Sequence, residues 1–319
     1  MGAWLSMMAL GPQLPTNEMR PPPPTWDYLR DGDMPDLTGK ITIVTGGNSG
    51  IGKETARALL LKNAKVYIAA RSEERALAAI ADLRVSVGGH GTVEFLHLDL
   101  GDLHSVKRAA EEFLSKEKRL DILFNNAGVM CNPVEQITIQ KYDMQWGTNV
   151  LGPFYFTKLL LPALFESDDA RVVNTSSSAS IIGKIDFDSF VDGKARRKHI
   201  TRFLYAQSKL GNIIVTKELA RRYADKGLRS YSMNPGNIAT DLQRHLMPMF
   251  MVKIFGTLLY DVHHGAITQL YAGTAPAAKA QSGEYFVPWA RVKQPNPLAL
   301  DDQLRERVWN WLEDQVKDL

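Results

Sequence analysis

The sequence is short of several things that whole classes of protein need. It has one cysteine, Cys131, in 319 residues. One thiol excludes an intramolecular disulfide and the multi-cysteine structural zinc sites, and it fits a reducing compartment. No uncharged apolar run reaches the roughly 18 residues of a spanning helix. Leu246 to Val252 stops at Lys253, and Leu159 to Leu161 follows Lys158. The apolar start, Met1 to Leu10, lacks a basic segment and a small-residue cleavage site and reads as a poor secretory signal. Gly2 with Ser6 matches the loose myristoylation pattern, and Lys317, Asp318 and Leu319 form no retention or peroxisomal signal. The expected location is cytoplasmic, with peripheral association at a membrane surface left open through the N-terminal residues.

Charge of one sign is also scarce. Lys plus Arg number 38 and Asp plus Glu 35, a net charge of +3. Without a long basic block, nucleic acid is not an implied partner. The nearest basic run, Lys194, Arg196, Arg197 and Lys198, lies beside Asp186, Asp188 and Asp192 and reads as a solvated loop. What is present is ordinary globular material, 45% apolar and 23% charged, enough for a large core. Length alone fits either two domains or one large α/β domain.

Seven of the 16 prolines precede residue 36, including Pro21 to Pro24. Residues 1–36 are therefore expected to form an extended arm, and residues 37–319 a single domain. From Ile41 onward, short apolar runs alternate with longer stretches of helical spacing, the pattern of βαβ units. Strands are expected at Ile41 to Val44, Val66 to Ala69, Val93 to Leu98, Ile122 to Phe124, Val172 to Asn174, Ser230 to Met233 and Glu284 to Val287. The expected fold is a doubly wound, mostly parallel, seven-stranded sheet with helices on both faces. Leu304, Val308, Trp311, Leu312 and Leu319 mark a C-terminal helix that docks back.

The first strand runs into Thr45, Gly46, Gly47, Asn48, Ser49, Gly50, Ile51 and Gly52, and a helical pattern starts at once. A strand, a glycine turn and a helix start make a pyrophosphate site, because backbone can approach closely and unpaired N–H groups attract the charge. The spacing T-G-x-x-x-G-x-G differs from the commonest dinucleotide fingerprint. The second strand ends at Ala70 with no acid to hold a ribose 2′-hydroxyl, and Arg71 follows. A guanidinium makes forked bonds to phosphate, so NADP(H) is favoured over NAD(H). The competing reading pairs Arg71 locally with Glu73 or Glu74.

Tyr205 and Lys209 lie four apart at the start of a helical stretch and so share a face. Use of a tyrosine near neutrality requires its pKa of about 10 to fall by about 2 to 3 units, and a neighbouring ammonium works in that direction. Taken with the glycine turn, Asn125 to Gly128 after the fourth strand, and Val172 to Ser178 with its serine cluster, this pair resembles the short-chain dehydrogenase/reductase family. The likeness runs over residues 38–290.

The resemblance implies a Rossmann fold and roles for the matching positions. Tyr205 would be the general acid/base and Lys209 the residue that holds the nicotinamide ribose. The serine that orients the substrate would be Ser177, assigned to within one position, and Asn149 would anchor a proton-relay water. Asp99, with Leu100 beside it, would contact adenine, and Asn126, with Ala127 and Gly128, would lie against the adenosine ribose. Pro235, Gly236, Ile238 and Thr240 would close over the nicotinamide.

Tyr205 lies 28 positions after Ser177, longer than is usual in the family. That insertion, with Asn234 before Pro235, is similar to the retinol-dehydrogenase-like and WW-domain-oxidoreductase-like branch. The methionine-rich stretch after Gly236 lies where the family places its substrate lid. It fits either an apolar, bulky alcohol or carbonyl substrate or packing against another subunit. Cys131, His263 and His264 read as structural. The expected activity is NADP(H)-dependent interconversion of an alcohol and a ketone or aldehyde on a hydrophobic small molecule. The rival is a non-catalytic NADP(H)-binding interaction protein, and the resemblance implies a homodimer or tetramer.

Overall fold

The computed structural model describes residues 21–30, 32–239 and 259–319. Thr240 and the methionine-rich stretch from Leu246 to Leu258 lie outside the described residues. Eight strands form one sheet: β1 (Ile41–Thr45), β2 (Lys65–Ala70), β3 (Thr92–His97), β4 (Ile122–Asn125), β5 (Arg171–Thr175), β6 (Arg229–Met233), β7 (Tyr285–Val287) and β8 (Arg291–Val292). Their spatial order is β3-β2-β1-β4-β5-β6-β7-β8. The first seven pair in parallel, and β8 turns back antiparallel on β7. The sequence pattern shows seven strands; the eighth, two residues long, carries no periodicity to read.

The main helices are α1 (Gly50–Leu61), α2 (Glu73–Ser86), α3 (Leu103–Lys116), α4 (Gly152–Phe165), α5 (Thr201–Arg222), α6 (Val262–Thr274) and α7 (Asp302–Val316). Central strands are buried on both faces, as βαβ crossovers require. Two apolar clusters result. Phe113, Trp146, Phe154, Leu210 and Trp309 pack on one side of the sheet, and Leu59, Ile68, Phe124, Tyr231 and Leu270 on the other.

Strand order reverses between β1 and β4, whose carboxyl ends diverge into separate loops. That switch point is where open α/β sheets bind ligands. The residues before the sheet also pack. Tyr28, Met34 and Leu37 are buried in the second cluster, and the Tyr28 hydroxyl donates to Glu54 Oε1 at 2.5 Å. The basic run near residue 196 is not a uniformly solvated loop. Arg196 is buried and bonds to Val134 O and Asp192, while Arg197 remains exposed on Asp192. A short helical turn, Lys194–Arg197, swings that one guanidinium inward.

Candidate active site

β1 ends at Thr45, whose side chain ties it to the β4 side of the switch point. Its hydroxyl donates to Phe124 O at 3.2 Å and accepts from the Ala127 N–H at 2.9 Å. Asn126 Nδ2 donates to Thr45 O at 2.9 Å. The turn beyond adopts backbone that favours glycine, with φ of 67° at Gly46 and 52° at Gly50. Gly52 is needed for a different reason: an added Cβ there would collide with Gly46 O and Asn126 Nδ2. The first turn of α1 carries no acidic side chain. Its free N–H groups thus face a cradle that suits a pyrophosphate.

A cavity of about 640 Å³ opens from this turn across the strand ends. Gly46, Asn48, Ser49, Gly50, Ile51 and Gly52 line its start. Arg71, Asp99 and Leu100 line the end beyond β2 and β3, and Asn126, Ala127 and Gly128 the middle. Ser177, Tyr205, Lys209, Pro235, Gly236 and Ile238 complete the far side. Glu73 and Glu74 form the first turn of α2, and no ion pair joins them to Arg71 among the described residues. Arg75 and Ser72 also line the cavity next to Arg71. The sequence reading missed both, although Arg75 at i+4 from Arg71 across a helix start was the available signal.

Ser176 and Ser177 separate clearly. The Ser176 hydroxyl is buried and donates to Lys209 O at 2.7 Å, so it serves to hold α5 against β5. Ser177 Oγ accepts from the Ala179 N–H at 3.2 Å and hydrogen-bonds with Tyr205, which puts Ser177 beside that phenol. Ser178 also lines the cavity.

Tyr205 and Lys209 are both buried, with the Lys209 Nζ 5.7 Å from the centre of the Tyr205 ring and donating to Thr175 O at 2.8 Å. Burial lowers the Lys209 pKa to about 8. Burial also raises the Tyr205 pKa well above its ordinary value, against the opposing hydrogen bond from Ser177. The protein groups alone therefore do not produce the depression expected of a lysine neighbour; desolvation of the phenolate is the larger effect.

Asn149 stands behind the cavity wall, in a π-helical stretch, Gly147–Leu151, that runs into α4. Its side chain is fully engaged with protein. Nδ2 donates to Val129 O at 2.9 Å and Ser208 Oγ at 3.0 Å, and Oδ1 accepts from the Val129 N–H at 2.8 Å. It thus clamps the Val129 loop to α5, one position from Lys209. Beyond β6, Gly236 has a φ of 89° and packs against Pro288 and Trp289, leaving Asn237 and Ile238 at the cavity edge.

Cys131 sits in the wall at a φ of 53°, and burial pushes its thiol up to about 11, so it is neutral. His263 bonds to the Tyr28 hydroxyl at 2.7 Å and Asp27 at 3.1 Å, and His264 to Asp261. No cluster of metal-ligating side chains occurs among the described residues, and none of the described helices is long and apolar enough to cross a membrane.

The chain matches the family model for short chain dehydrogenases over residues 40–249. It is 53% identical over 307 residues to a short-chain dehydrogenase/reductase of Armillaria gallica, covering 95% of this chain and 97% of that protein. It is 39% identical over 275 residues to retinol dehydrogenase 12 of Homo sapiens, covering 86% and 85%. Among solved structures, an uncharacterized protein from Mycobacterium paratuberculosis superposes with a TM-score of 0.72 at 31% identity, covering 92% and 97%. The Pseudomonas aeruginosa RhlG/NADP active-site complex gives 0.62 at 25% identity, covering 79% and 95%. The glycine cradle, the sheet order and these likenesses converge: the chain belongs to the short-chain dehydrogenase/reductase family, oxidoreductases that work with a nicotinamide cofactor.

Proposed function

We propose that the protein is an NADP(H)-dependent oxidoreductase that interconverts an alcohol and a ketone or aldehyde on a hydrophobic small molecule. The observation that carries this reading is one continuous cavity with the glycine cradle at one end and Tyr205, Ser177 and Lys209 at the other. A protein that only bound the dinucleotide would have no use for that second end.

Gly46 to Gly52 would hold the pyrophosphate, and Arg71 with Arg75 the 2′-phosphate, where two guanidiniums outweigh the single carboxylate of Asp99. An NADP complex among the structural relatives supports that preference. Bound there, the dinucleotide supplies or accepts the hydride. In carbonyl reduction, Tyr205 donates its hydroxyl proton to the substrate oxygen while Ser177 donates a hydrogen bond to the same atom. In alcohol oxidation the proton returns to Tyr205. A buried phenol with a raised pKa is protonated through neutral pH. Lys209, fixed on Thr175 O, places an ammonium beside the ring and limits the cost of the phenolate when it forms.

Replacing Tyr205 with Phe is expected to cut NADPH oxidation with hydrophobic ketones by about 100- to 10,000-fold. The rise in melting temperature caused by NADPH should survive the change. Retained turnover with a verified substrate overturns the role of Tyr205. Preference for the phosphorylated cofactor is read from melting temperature with NADPH and NADH at equal concentration, since tighter binding to the native state raises it more. A larger rise with NADH overturns the Arg71 assignment.

A further inference from the structure

The chemistry proposed above leaves one wall of the cavity without a task. That wall consists of Met130, Cys131, Ala179, Ile182 and Arg202. Four of these are uncharged, the thiol of Cys131 included. The fifth carries a guanidinium.

Arg202 precedes Tyr205 by three positions on α5, so the two share a helix face with Cβ atoms about 5 to 6 Å apart. The turn that bears it is tied down. Thr201 Oγ1 donates to Asn132 O at 2.6 Å, and Gln145 Nε2 donates to Thr201 O at 2.9 Å. Gln145 Oε1 in turn accepts from the Cys131 N–H at 2.8 Å. One buried amide therefore joins the first turn of α5 to the Cys131 loop and holds the base of Arg202 beside that wall. Its charge is felt at the Cys131 sulfur, where it works against the effect of burial.

The other ionised groups on the cavity stand away from that wall. Arg71, Arg75 and Asp99 stand at the nucleotide end, and Lys209 lies under Tyr205 on Thr175 O. Among the described residues no carboxylate lines the wall that carries Arg202. A cation set among apolar groups, one turn from the proton donor, matches a molecule that is apolar along most of its length and anionic at one point. A guanidinium has five donors, so it can grip a carboxylate through two of them while keeping a contact to its own chain.

We propose that Arg202 anchors a carboxylate of the substrate, so that the preferred substrates are apolar keto acids or hydroxy acids rather than neutral ketones. This rests on Tyr205 being the acid/base at the other end of the same wall. It narrows the hydrophobic substrate class to an amphipathic one.

The test uses the full-length protein with NADPH and two probes of nearly the same shape, 3-benzoylpropionate and its primary amide, of which only the first is anionic and can accept both arms of a guanidinium fork. Wild type is expected to prefer the acid in kcat/KM by about tenfold or more, the usual size of a hydrogen bond to a charged group. In Arg202→Gln that acid-to-amide ratio should fall to near one, with the change carried by KM, and Arg202→Lys should recover part of it. The NADPH-induced rise in melting temperature shows that each variant is folded and binds cofactor. Equal use of acid and amide by wild type overturns the proposal, as does a Gln variant that keeps the wild-type ratio. If wild type turns over neither probe, the oxidoreductase reading is what suffers. Calorimetric titration of the acid into NADP⁺-loaded protein then decides the anchor by itself: binding that weakens in Arg202→Gln supports it, and binding that is absent or unchanged overturns it.

Discussion

One added carbon at Gly52 would meet the carbonyl of Gly46 and the amide of Asn126 at once. Neither neighbour is the loose end of a flexible side chain, since Asn126 is bonded to Thr45 O. Gly52→Ala is therefore expected to push α1 away from the glycine turn, costing about 1 to 3 kcal/mol of stability. Cofactor affinity should suffer more, because the N–H groups at the head of α1 would move with it. Melting curves with and without NADPH measure both effects, and an undiminished NADPH response removes the close-approach argument. The glycine turn was legible in the sequence because its constraint is local. The ionisation of Tyr205 was not: spacing predicts a lysine neighbour, whereas burial is a sum over everything packed around the ring. Lys209 shows the same physics with a measurable sign. Its folded pKa of about 8 lies below the ordinary 10.5, so between those values the unfolded chain binds more protons. The stability contributed by this group then rises as pH increases through that window. Denaturant unfolding at pH 8 and pH 10 should show wild type gaining on Lys209→Met across the interval; a constant difference would mean that Lys209 is not desolvated.

Among the elements, the strands and main helices follow from apolar periodicity, and their order follows from their alternation. The segment before β1 shows what periodicity leaves out. Its prolines mark extended backbone, yet extended backbone can still dock. The Trp26 ring stands edge-on to Tyr271 on α6, and Tyr28 bridges Glu54 on α1 and His263 on α6. Its partners lie 26 and 235 positions away, and no local pattern reports a contact across that distance. The short helical turns between Ser178 and Arg197 escaped for the reverse reason, being too brief to show a period. Because Tyr28 is buried and hydrogen-bonded on two sides, Tyr28→Ala should destabilise the protein by about 3 kcal/mol, while Tyr28→Phe loses only the hydroxyl contacts at about 1 kcal/mol. Chemical denaturation of the two variants gives the ratio. Equal and negligible losses would show that the segment before β1 contributes nothing to the domain.

Across the whole molecule the parallel sheet separates two kinds of polar group. The carboxyl ends of the strands carry the cavity, where Tyr205 and Lys209 are desolvated. The opposite ends carry groups that are fully paired. Asp121, immediately before β4, is buried and accepts from Lys40 Nζ at 3.0 Å, the Ile41 N–H at 2.9 Å, Arg119 Nε at 3.2 Å and Ser167 Oγ at 2.8 Å. These partners join the starts of β1 and β4 to the loop before β5, and they hold the carboxyl below its usual range despite burial. A depressed folded pKa means that the stability from Asp121 is present above the ordinary carboxylate value of 3.8 and is lost as pH falls through the folded value. Asp121→Asn should therefore cost about 3 kcal/mol near neutrality and progressively less in acid. Because the substitution lies at the far edge of the sheet from the glycine turn, the NADPH-induced rise in melting temperature should remain. Unfolding curves at pH 7 and pH 3, with an NADPH titration at pH 7, separate these outcomes. A loss of cofactor binding equal to that of Gly52→Ala would show that the two edges are coupled through the strands and that the division into a structural and a chemical edge does not hold.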